Sequence, residues 1–114
     1  MATTLDSFTS ETQLTASETT LVFTGETDKK FIGAATVTNT GATRADIEVW
    51  RIGVAVTGTS GSGGNWLIKK SIPAGVTVRL DNILGQVLGN SMKISALSSI
   101  AGVLNVDISG TTET

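Results

Sequence analysis

Asp46 and Glu48 stand two residues apart, with Ile47 between them and Val49 following, and form the sequence's nearest approach to a catalytic carboxylate pair. Acid–base work by two carboxylates needs a shared cleft whose environment pushes their pKa values apart. Alternation with Ile47 and Val49 instead places both acids on the polar side of one strand, in water. No loop of the D-x-[DN]-x-[DN]-G kind accompanies them, so a calcium site has no sequence support. The chain contains neither histidine nor cysteine. That excludes Ser-His-Asp and Cys-His nucleophiles, histidine- or thiolate-ligated metals, and disulfides. The run Gly58-Thr59-Ser60-Gly61-Ser62-Gly63-Gly64 is glycine-rich as a phosphate cradle is. It lacks the G-K-[ST] that grips phosphate and magnesium, and reads as an inter-strand connector. The expectation is a protein that is not an enzyme, with no catalytic residue, no cofactor and no metal.

Trp50 and Trp66 are the two tryptophans, and tyrosine is absent. Exposed aromatic faces can hold sugar rings, but two tryptophans without tyrosine make a poor platform, and packing or subunit contact is the favoured role. The net charge of −2 and pI of about 4.9 leave no basic footprint for nucleic acid. Lys29-Lys30 and Lys69-Lys70 are isolated pairs suited to solvated strand edges. Charged residues make up 16% of the chain, against roughly a quarter in ordinary domains. Such a surface can meet other proteins with little desolvation of ions. No apolar run is long enough to span a membrane. The start Met1-Ala2-Thr3-Thr4-Leu5-Asp6 lacks the basic and apolar parts of a signal peptide, so the product is expected to stay in the cell that makes it or to leave by lysis.

The elements that must carry these residues are strands. Leu21–Phe23 is a short apolar run, Lys30–Asn39 a second strand closing at Asn39-Thr40-Gly41, and Ala45–Thr57 a longer one. In the last, alternation fails at Trp50-Arg51-Ile52, which predicts a bulge or an outer face turned to an interface. Asn65–Ser71 resumes a strand, and Ile72-Pro73-Ala74-Gly75 is a turn. Val76, Val78 and Leu80, then Met92, Ile94 and Ala96, then Leu104, Val106 and Ile108 alternate with polar residues. The predicted core is Val78, Leu80, Ile94, Leu104, Val106 and Ile108, with Arg79, Lys93, Asn105 and Asp107 on the opposite faces. Helical periodicity is absent; Ile83–Leu88 offers one short turn at most.

At 114 residues the chain is one domain by length. It is predicted to be all-β, a single antiparallel β-sandwich of jelly-roll or Ig-like kind over residues 19–114. Residues 1–18, rich in Thr and Ser, read as an extended N-terminal arm with one short strand at Gln13–Ala16. Leu5, Phe8 and Leu14 are its lone apolar anchors, too few for a full layer, and are expected to insert against a neighbouring subunit.

From Thr20 to Gly110 the order of segments resembles small β-sandwich structural proteins encoded among the head and tail genes of tailed bacteriophages. The segments are T-L-V-F-T-G, K-F-I-G-A-A-T-V-T-N-T-G and A-D-I-E-V-W-R-I. After the glycine-rich loop come W-L-I-K-K-S-I-P-A-G-V-T-V-R-L-D, S-M-K-I-S-A and V-L-N-V-D-I-S-G. Ala35–Gly41, Ile72–Asp81 and Val103–Gly110 are the most specific. Departures are Gly25-Glu26 where a proline is common, Arg51 where an apolar residue stands, and Gly89-Asn90 in place of an acidic turn. The resemblance implies a virion structural protein, located in the virion and assembled in the host cytoplasm. Its expected place is a head decoration, cement or neck component bridging neighbouring subunits. Its partners would be other virion proteins, capsid or tail subunits, together with copies of itself as a homo-oligomer. Nucleic acid and membrane are not expected partners. Leu5, Phe8, Leu14, Trp50 and Trp66 are the candidate partner contacts. The rival expectations are a tail, baseplate or fibre module, a carbohydrate-binding β-sandwich for host attachment, and, with least support, a small hydrolase.

Overall fold

A computed structural model describes residues 3–24, 28–52, 66–89 and 92–113, without the side chains of Ile52 and Trp66. Among the described residues nine strands follow in chain order: β1 (Thr3–Gln13), β2 (Thr19–Phe23), β3 (Lys29–Asn39), β4 (Ala45–Ile52), β5 (Trp66–Ile72), β6 (Thr77–Arg79), β7 (Val87–Leu88), β8 (Lys93–Ser98) and β9 (Leu104–Glu113). A 3-10 turn at Asp81–Ile83 separates β6 from β7. The glycine-rich run at 58–64 and the end of the predicted strand beyond Ile52 lie outside the described residues.

The pairing is nested. Thr3 lies opposite Glu113, Thr19 opposite Ala96, Thr36 opposite Arg79 and Ala45 opposite Ile72. The chain is therefore one long antiparallel hairpin whose far end is β4–β5. Rolled on itself, the hairpin brings β9 beside β3 and β8 beside β4. Two sheets result: sheet A in the order β1-β9-β3-β6, with β7 also on β3, and sheet B in the order β2-β8-β4-β5. With β6 and β7 sharing one strand position, this is the eight-position arrangement of a jelly roll. Of the two sandwich types the sequence allowed, the pairing order selects this one.

The predicted strand phases hold where a strand is central. In β9, Leu104, Val106 and Ile108 are buried while Asn105, Asp107 and Ser109 face outward. Ile47 and Val49 are buried and Asp46 is exposed. The predicted bulge is present, as the β4–β5 register shifts between Val49 and Trp50. In β6, Leu80 just beyond it is buried but Val78 only half so, because a three-residue edge strand is covered on one side alone. A second irregularity in β3, between Ile32 and Ala34, depends on a glycine in its neighbour. A Cβ at Gly110 would overlap the Phe31 carbonyl, so only glycine lets the two backbones approach there.

The 1–18 arm expected to lie outside the sandwich is instead part of it, and this corrects the domain boundary at residue 18. Strand β1 pairs with β9 from Thr3 to Gln13, with bulges between Ser7 and Thr12. The predicted strand at Gln13–Ala16 is where β1 ends and the chain crosses layers. Leu14 N–H donates to the Leu104 carbonyl of sheet A at 2.9 Å, and Thr15 accepts from Ser98 N–H of sheet B at 2.9 Å. The Thr9 hydroxyl, buried, donates to the Leu21 carbonyl and ties β1 to β2 on that side of the sandwich. On the other side, Asn82 Nδ2 donates to the Leu67 carbonyl at 3.0 Å.

Asn39 fastens one end. Its fully buried side chain donates to the carbonyls of Thr43 and Ile72, and its Oδ1 accepts from Gly41 N–H, each at 2.9 Å. Its backbone bonds with Val76 and Gly75. One side chain thus joins the β3–β4 turn to the end of β5. Losing it would strand the buried Ile72 carbonyl, at about 1–3 kcal/mol, and loosen the turn at Thr43 as well.

Two outcomes test this account by urea unfolding. Val106→Ala should lose about 1–3 kcal/mol through lost burial and a cavity, while Asn105→Ala one residue away stays within about 0.5 kcal/mol. Equal effects would mean the β9 register is wrong. Asn39→Ala should cost about 3 kcal/mol, more than any exposed Asn→Ala in the chain.

Candidate functional site

The acids singled out by chemistry lie on the outer face of sheet B. Asp46 accepts a hydrogen bond from the Ser71 hydroxyl. Glu48 stands in register with Lys69 across the β4–β5 pair. A shallow groove bordered by Asp46, Glu48, Lys69, Lys70 and Ser71 is open to solvent. Cross-strand partners of this kind stabilise a sheet surface; they do not supply a dry cleft holding two carboxyl groups in different states. Among the described residues, no group of three or more acidic side chains is arranged to hold a metal ion. No helix there is long and apolar enough to cross a membrane.

The five candidate contact residues separate sharply. Leu14 is fully buried in this domain's own core, which corrects its assignment to a neighbour. The cause is the layer crossing, which drops its side chain between the two sheets. Phe8 is half-buried and packs on the same core, with the Lys30 ammonium 5.4 Å from its ring centre. Lys30 Nζ is also held by the Phe23 carbonyl at 2.7 Å. Phe8 thus spends part of its surface on its own core and leaves the rest exposed. Trp50 is fully buried too, so it presents no face to a partner or a sugar. It stands in register with Ser95 of β8, itself fully buried. Trp50 Nε1 and Ser95 Oγ have no hydrogen-bond partner among the described residues. Trp66 begins β5 opposite Trp50, and its side chain lies outside the described residues. Leu5 remains, 86% exposed.

Leu5 is not isolated. It lies opposite Thr111 of β9, Thr111 opposite Phe31 of β3, and Phe31 opposite Val87 of β7. Directly paired residues point to one face of a sheet. In the next row Thr112 and Leu88 are buried, so the Leu5 row points outward. Val87 is 45% exposed, and Phe31 and Thr111 are half-buried. Four strands thus present one row on the outer face of sheet A, apolar at Leu5, Phe31 and Val87 with Thr111 between the first two. The rows beside it are polar or small. One carries Thr3, Glu113 and Lys29; the other carries Ser7, Ser109 and Ala34.

Sequence reasoning found Leu5 and missed Phe31 and Val87. Phe31 stands beside Ile32, and Val87 beside Leu88, so either member of each pair could have been the buried one. The bulge after Ile32 hides the phase of Phe31 relative to Ala35 and Val37. Only the register across four strands collects the row.

No protein-family model matches the chain, and no curated protein matches it. Among solved structures, it is similar to that of the infectious bursal disease virus Gx strain, at 13% identity and a TM-score of 0.43. That match covers 97% of this chain and 31% of the other. It is also similar to the infectious bursal disease virus VP2 subviral particle, at 14% identity and a TM-score of 0.36, covering 97% and 31%. The chain spans less than a third of the length of these solved chains.

The contrast between the two leucines of the N-terminal segment is directly measurable. Leu14→Ala should destabilise the domain by about 2–5 kcal/mol, and Leu5→Ala by no more than about 0.5 kcal/mol. Thermal melts of the two variants against the parent would report both. Equal melting temperatures would mean that Leu14 does not enter the core.

Proposed function

We propose that the protein is a non-enzymatic structural component of a bacteriophage particle. In this reading it decorates or cements the head shell, or sits at the neck, and bridges neighbouring subunits. The observation that carries the reading is the exposed apolar row Leu5–Thr111–Phe31–Val87 on a jelly-roll sheet. Apolar surface exposed in a connected strip is a protein-contact feature, and here it is displayed by a rigid sheet. The sparse charge of the chain, 16% of residues, favours the same use. The resemblance of its strand and turn segments to phage head and tail proteins supplies the particle. Repetition would make such contacts durable, since many weak contacts on one shell act together. The carbohydrate-binding alternative relied on Trp50 and Trp66 as a platform, and the burial of Trp50 removes half of it.

The test is incorporation. Particles made in a host that supplies the tagged protein should carry it through density-gradient purification. A Leu5→Asp variant, folded as judged by its melting temperature, should be depleted from them. Absence of the parent protein from purified particles would overturn the reading. Labelling of the purified particle would report head, neck or tail.

A further inference from the structure

The apolar row is flanked by an acid and a base. Glu113 of β9 and Lys29 of β3 are register neighbours on the same outer face. Among the described residues, neither forms an ion pair; the pairs present are Arg79–Asp81 and Lys93–Glu18. From this we infer that the outer face of sheet A is a self-association surface, joining two copies of the chain about a two-fold axis that runs along the strands between β9 and β3. The inference takes the same row that the virion reading uses as a contact and assigns its occupant, a second copy of the chain, which is tested on the purified protein alone.

The charge pattern selects the axis. The strands lie in the order β1, β9, β3, then β6 and β7. A two-fold along the strands reverses that order while keeping each row level with itself. It places Leu5 over Val87 of the second copy, Thr111 over Phe31, and Glu113 over Lys29. Each lysine then lies between two carboxylates, one from either chain. A two-fold running across the strands would place Leu5 on Leu5 and set the Glu113–Lys29 row against Ser7, Ser109 and Ala34. That alternative desolvates the charges and gives them no opposite charge from the second copy, at a cost in free energy. The strand-parallel axis also brings sheets together face to face with near-aligned strands, a common way for sheets to pack. Both copies use the same patch, as a two-fold contact requires.

Sedimentation velocity of the full chain, from dilute to the most concentrated attainable solution, reads the association. The parent should form dimers. Lys29→Glu and Glu113→Lys should each weaken the dimer by about tenfold, because each change acts twice across the axis. An equimolar mixture of the two variants should associate again, since one chain then carries two acids and the other two bases at the contact. Leu5→Asp should dissociate the dimer, and its melting temperature would show that the fold is intact. A monomeric parent, reversals without effect, or a mixture that fails to recover would each overturn the assignment. Dimers that survive both reversals belong to another surface. A protein that dimerises as stated yet is absent from particles would refute the virion reading alone.

Discussion

Strand β9 has both of its backbone edges occupied, by β1 on one side and β3 on the other, and the rest of the molecule depends on that double pairing. A central strand can satisfy its backbone groups only if a neighbour lies on each side. Its inward residues Leu104, Val106 and Ile108 then become the middle of a sheet face that must be covered, and sheet B covers it. The neighbours of β9 come from the start of the chain and from its first third, so the pairing closes the roll. Such non-local closure must be formed against chain entropy before it stabilises anything, the pattern associated with slow folding.

The same constraint explains why the N-terminal segment has two fates. Without β1, the outer edge of β9 would be an open row of donors and acceptors beside an apolar face, a template for unwanted strand addition. Covering that edge fixes residues 3–13 as a strand, and the crossing after Gln13 then carries Leu14 into the core. Leu5 lies in the regular part of β1, before the bulges, and its phase turns it outward. Packing therefore uses one leucine of the segment and leaves the other on display. The same segment thus closes an edge of the sandwich and sets out an exposed leucine.

Sheet A and sheet B differ in what they offer outward. Edge strand β5 carries Lys69 and Lys70, and charged side chains of that kind discourage strand addition at an edge. The outer face of β4 pairs its acids with groups on β5. Sheet A instead sets out a surface of mostly small and polar residues crossed by the Leu5, Phe31 and Val87 row, with Lys29 and Glu113 on one side of it and Asp107 and Arg79 further along the other.

The phases of β9 and β4, the turn at Asn39-Thr40-Gly41 and the irregularity at Trp50 were legible in the sequence, because alternation and turn chemistry are local. So was the absence of histidine and cysteine chemistry, which composition alone decides. The choice of jelly roll over Ig-like sandwich was not legible, since it rests on which strands become neighbours when the hairpin rolls. Nor were the separate fates of Leu5, Leu14 and Trp50, three large apolar side chains that look alike on a list. Burial is decided by what lies across from a residue, and its opposite number comes from a distant part of the chain. Thr111 and Phe31 illustrate this, as does Val87: each is unremarkable in its own segment. Only the antiparallel register brings them level with Leu5 on one face.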